Sequence, residues 1–151
     1  MRANPFDIAT VVLAKHAQHV VLIHFPIALF ITAVAFDYLA VWTNRGALAA
    51  AAYFNLLLAA ASTVPVVATG FAAWQWALEG QTLKGVLFMH LVLGCISSVL
   101  IWLVYWIHRR VRRHPSAPLP PYRLPIEAVA VLLLGLTAHL GGFLSGVNGP
   151  G

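Results

Sequence analysis

Four long apolar stretches, separated by short polar or proline-rich breaks, organise the chain. They run from about Val20 to Trp42, Ala47 to Leu78, Val86 to Ile107 and Ile126 to Val147. At a rise of about 1.5 Å per residue, each is long enough to cross a hydrocarbon core about 30 Å thick. In lipid every backbone polar group needs an internal partner, which leaves helices or a closed barrel as spanning structures. Continuous apolar runs, rather than alternating ones, exclude the barrel. The pattern predicts an all-α integral membrane four-helix bundle, up-down-up-down, forming a single membrane domain over 1–151.

The breaks refine this picture. Residues 1–19 form a weakly amphipathic stretch interrupted by Lys15 and His16, without the continuous apolar centre and cleavage site of a signal peptide, and read as a retained interfacial segment. The second stretch is alanine-rich, contains Pro65 and Gly70, and ends in Trp74 and Trp76, so a long, kinked or tilted helix is expected. Trp102, Tyr105 and Trp106 end the third as an interfacial belt, and His108-Arg109-Arg110-Val111-Arg112-Arg113 stops it. Five prolines between His114 and Pro125 predict an exposed, polyproline-like connection, so 108–125 reads as an arginine- and proline-rich loop.

Composition agrees: 61% of residues are hydrophobic and 9% charged, far from the balance of a soluble domain. The lone Cys95 excludes an intrachain disulfide framework and a thiolate cluster, and reads as a small buried hydrophobe. The net charge of +5 gathers in a loop without a soluble recognition fold, which argues against nucleic-acid binding. No paired carboxylates, nucleotide motif or serine with an oriented base suggests hydrolysis, and whether the chain is an enzyme stays open.

Charge also predicts orientation. Arg45, Arg109, Arg110, Arg112, Arg113 and Arg123 fall on one side, and Arg2, Lys15 and Lys84 on the other. The positive-inside rule then places the protein in a bacterial cytoplasmic membrane with both termini periplasmic and the arginine cluster cytoplasmic. That cluster reads as a topology signal, with an anionic-lipid or subunit patch as the alternative.

In this frame His24, His90 and His139 come from three helices at one depth, one to two turns below the periplasmic face. Small residues stand one turn away: Ala28 and Thr32 after His24, Gly94 and Ser98 after His90, and Gly135 before His139. Small neighbours permit close helix approach; they also leave room for a macrocycle whose iron takes imidazole ligands. The expected site is therefore His24, His90 and His139 as metal ligands, with Ala28, Gly94 and Gly135 lining a haem b. His24 and His90 are the favoured diagonal pair. His16 and His19 cap the layer, while His108 and His114 belong to the arginine cluster and are expected at the interface. Asp37, deeper on the first helix, is expected to be a structural partner of Arg45, of a side chain near Arg109 or of a backbone donor, with a proton or cation site as the alternative. Glu127 is expected only to favour the dipole at its helix start.

The run His24-Phe25-Pro26-Ile27-Ala28-Leu29, the later Asp37 after Phe36 and, more loosely, His90 resemble a family of small bacterial membrane proteins known as domain of unknown function 2231. The resemblance implies a partner of respiratory or cytochrome-linked systems and carries no established reaction or ligand.

Two functional classes emerge. One is a b-type electron-transfer protein exchanging electrons with quinol or a periplasmic cytochrome. The other is a non-catalytic subunit, anchor or assembly factor that packs into a larger membrane complex or homo-oligomer. A histidine-bound copper or zinc site is a third option that lacks carboxylate or thiolate support in the same layer.

Overall fold

The computed structural model describes residues 17–76, 78–113 and 118–146. The expected interfacial segment lies largely outside them, as does His114. Five helices follow in order: α1 (Ala17–Leu22), α2 (His24–Thr43), α3 (Gly46–Trp76), α4 (Gly85–Arg112) and α5 (Arg123–Leu144). α1 and α2 are nearly continuous, and together they form the first of four segments long and apolar enough to cross a membrane. Large side chains such as Ile31, Phe54, Val99 and Leu132 stay exposed on the helix faces, as lipid contact requires.

The helices end where the local chemistry stops them. Asn44 takes the left-handed conformation (φ 55°) at the end of α2, a position that favours Asn or Gly, and α3 begins two residues later. α3 stays helical through Pro65. After α3 the Trp74 indole donates to the Gln81 carbonyl at 2.9 Å, and Gly80 turns with φ 64°. α4 continues beyond the expected stop: residues 108–112 are helical, not loop. The Arg112 guanidinium folds back over the Tyr53 ring at 4.4 Å and that of Arg110 over Trp106 at 5.5 Å, so these long side chains cover aromatic surface while the helix extends. α5 starts before the expected boundary, and Pro125 occupies its first turn, where no helical N–H is lost.

α2 packs along α3 and α4 along α5, while α3 joins α4 and α2 meets α5 more sparingly. The core is built from narrow stripes. On α2 the buried positions are Pro26, Phe30, Ala33 and Asp37; on α4 they include Ser97, Ile101, Val104 and His108. These sets coincide when the chain is shifted by 71 positions, the spacing from His19 to His90. The same shift superposes Ala52, Leu56, Ala59 and Thr63 of α3 on Arg123, Glu127, Ala130 and Leu134 of α5, all buried. The bundle is thus two helical hairpins of one design. Identical residues are sparse, but they include His19 and His90, Ala59 and Ala130, and Gly70 and Gly141.

Candidate functional site

Two polar clusters occupy opposite ends of the bundle. At the first, His19 Nδ1 lies 3.1 Å from the Val66 carbonyl and 3.3 Å from Thr69 Oγ1. At the matching position of the second hairpin, His90 Nδ1 lies 3.0 Å from the Thr137 carbonyl. A carbonyl only accepts, so each Nδ1 carries the proton and donates it; Nε2 is then the nitrogen a neutral ring offers to a metal. Both rings rest on a glycine one turn further along the partner helix. A Cβ built on Gly70 would approach His19 Cε1 to 3.0 Å, and one on Gly141 would approach His90 Cε1 to 3.1 Å. Each hairpin therefore holds one imidazole by the same two devices, a carbonyl anchor and a glycine floor. His19 and His90 also continue the buried stripes of their helices: each stands 18 residues, about five turns at 3.6 residues per turn, before Asp37 and His108 respectively.

The expected histidine layer divides on this geometry. His90 is half-buried between α4 and α5, with Gly94 one turn on, where an added Cβ would meet Thr137 Cγ2 at 3.7 Å. His24 and Ala28 are exposed on α2. His139 is exposed and packs edge-on against Phe143 at 5.0 Å, and Gly135 faces open space. The reason is angular. His24 is offset from the stripe of His19 and Pro26, and His139 stands two residues from the buried Thr137, on nearly the opposite side of α5. Depth in the membrane is shared by residues all round a helix, whereas direction is not.

The opposite end holds four buried ionisable side chains. Arg123 Nε donates to Asp37 Oδ2 at 2.7 Å, and its Nη1 reaches the carbonyls of Leu119 and Pro120. His108 Nε2 lies 3.1 Å from Glu127 Oε1 and 3.9 Å from Asp37 Oδ2. Relative exposures of 1% for Asp37, 4% for His108, 5% for Arg123 and 0% for Glu127 remove the group from solvent. Glu127 Oε2 is buried with no hydrogen-bond partner among the described residues.

Three expectations are corrected here. Asp37 has a structural partner, as expected, but it is Arg123 and not Arg45 or the Arg109 region. His108 is buried rather than interfacial, because α4 remains helical and turns it onto the core stripe. Glu127 does more than favour a helix dipole: it faces inward at the position where α3 carries Leu56. The signal for this cluster was present in the sequence, since Arg123 and Glu127 stand four residues apart and share a helix face.

The family model described as a predicted membrane protein (DUF2231) matches residues 15–149. No curated protein and no solved structure matches the chain. With nearly the whole chain covered and four helices long and apolar enough to cross a membrane, the chain belongs to the DUF2231 family of predicted membrane proteins.

Proposed function

We propose that this membrane protein is a one-electron carrier that holds a b-type haem between His19 and His90, at the end of the bundle where the two hairpins present equivalent imidazoles. The observation that carries the reading is the duplicated anchor: Nδ1 donating to a backbone carbonyl and the ring laid on glycine, once in each half of the chain. Ligating histidines commonly donate their second ring nitrogen to a carbonyl, which fixes the tautomer and the ring plane. Paired helices supplying facing side chains are the usual way bundles build cofactor sites. The donor set suits haem, because bis-imidazole ligation needs no carboxylate or thiolate, whereas zinc and copper sites commonly add one.

The haem would supply a reversible electron; the protein's own groups hold and orient it. His90 and His19 would hold the haem through their ring nitrogens, and the carbonyls of Thr137 and Val66 would set the basicity of those rings. Gly70 and Gly141 admit the rings between helices. By the distribution of arginine and lysine this end faces the periplasm of a bacterial inner membrane, which makes quinol or a periplasmic cytochrome the fitting redox partner. An absorption spectrum of the purified protein, oxidised and then reduced with dithionite, tests the reading. A b-type spectrum that reduces reversibly is expected. Protein that neither carries haem nor binds it on titration with hemin would leave a non-catalytic subunit or anchor as the better account.

A further inference from the structure

We propose that Glu127 and His108 form a buried binding site for a single exchangeable proton, reached from the arginine-rich end of the bundle. This site is separate from the proposed haem: His108 is 18 residues beyond His90 on one helix, about 27 Å at 1.5 Å per residue.

Charge balance governs a buried cluster in a medium of low polarity. Removing an ion from water costs several kcal/mol even after relaxation, so a buried group of charges is tolerated only near neutrality. Asp37 and Arg123 neutralise each other through the 2.7 Å contact. What is left is a carboxyl and an imidazole joined at 3.1 Å. With both unprotonated the pair has charge −1, with two protons +1, and with one proton it is neutral. One proton is therefore the resting complement of the pair. On Glu127 it preserves the observed contact: the neutral acid accepts from the His108 N–H through Oε1.

The unpartnered Glu127 Oε2 adds an independent observation. A buried carboxyl oxygen without a hydrogen-bond partner is costly, and in a native structure it points to a role or an occupant of its own. Among the described residues the charged groups that act on Glu127 are Asp37 of α2, His108 of α4 and Arg123 of α5, and α3 brings the apolar Leu56 and Ala59 to this core. Tyr105 of α4 and Tyr53 of α3 also reach the core, their rings 6.0 Å apart.

A metal ion is the competing occupant, since one ligand atom each from Asp37, His108 and Glu127 lies within 4.8 Å of the others. Arg123 already occupies Asp37 Oδ2, however, and a divalent ion beside one guanidinium and two carboxylates would leave an excess positive charge. A proton leaves none. Exchange from the arginine end follows from the anchoring of Arg123 to Leu119 and Pro120 in the connection between α4 and α5, which places the cluster directly beneath that connection.

Infrared difference spectroscopy of the full chain in liposomes, stepped in pH, tests the proposal. The chain has four acidic residues, of which Glu79 and Glu127 are the glutamates. A protonated-carboxyl band that titrates is expected; it should shift on labelling with glutamate carrying 13C at the side-chain carboxyl carbon, vanish in Glu127→Gln and persist in Asp37→Asn. His108→Gln should move the midpoint of its titration. Because labelling needs no substitution, the proposal stays testable if a variant fails to fold. Absence of a titrating carboxyl band, a band insensitive to glutamate labelling, or a band that responds to sodium or a divalent ion at fixed pH would overturn it, the last in favour of a cation site.

Discussion

Asp37 and Arg123, 86 residues apart in sequence, meet at 2.7 Å and tie the first spanning helix to the last. The contact joins the two hairpins where α2 and α5 otherwise touch sparingly. Breaking a buried pair by removing one partner leaves the other charge stranded, at a cost of about 3–5 kcal/mol. Arg123→Ala should therefore lower stability to chemical denaturation in detergent by that order. Asp37→Asn, which retains an acceptor, should cost less, about 1–3 kcal/mol. Removing both charges with Asp37→Asn and Arg123→Gln should recover part of the loss; strict additivity would show that the contact does not couple the hairpins.

The glycine floors give a second, sharper prediction. Gly70→Ala and Gly141→Ala would place a methyl 3.0 and 3.1 Å from His19 and His90 respectively, so each should displace its imidazole and cost about 1–3 kcal/mol as overpacking does. Gly135→Ala meets nothing within 4 Å and should be neutral or stabilising, since alanine is favoured over glycine in a helix by about 1 kcal/mol. Thermal unfolding of the three variants side by side checks the order, and equal effects at the three positions would remove the packing argument.

Much of the fold was legible in the sequence because hydropathy alone sets it. Four apolar runs bounded by Asn44-Arg45, Glu79-Gly80 and the proline-rich stretch can only be spanning helices in an up-down order. The ends were less legible: the arginines after His108 read as a stop, whereas their aliphatic stems and cation–π contacts let α4 run to Arg112. The candidate site was legible in part. Depth along the membrane can be counted from the sequence, and it singled out His90. Direction cannot be counted without knowing which stripe faces inward, so depth alone groups His24 and His139 with His90 and sets His19 outside the layer. The 71-position shift would have corrected this, because it pairs His19 with His90 and Gly70 with Gly141. The buried ionic cluster was legible in part: Arg123 and Glu127 share a helix face, but nothing local to Asp37 indicates that its partner stands 86 residues away.

Orientation rests on the arginine asymmetry and is open to direct test. Reporter fusions after Gly80, between α3 and α4, should read as periplasmic, and fusions after Arg45, between α2 and α3, as cytoplasmic. The reverse assignment would move the histidine end to the cytoplasm and exclude a periplasmic cytochrome as the redox partner.

The most direct test of the central claim is the haem content and reduced-minus-oxidised spectrum of four single variants purified in parallel. If His19 and His90 are the equivalent ligands of a haem between the hairpins, His19→Ala and His90→Ala should each lose the b-type spectrum while retaining helical circular dichroism. His24→Ala and His139→Ala, whose side chains are exposed on other helix faces, should keep it. An unchanged haem spectrum and content in His90→Ala would contradict the account.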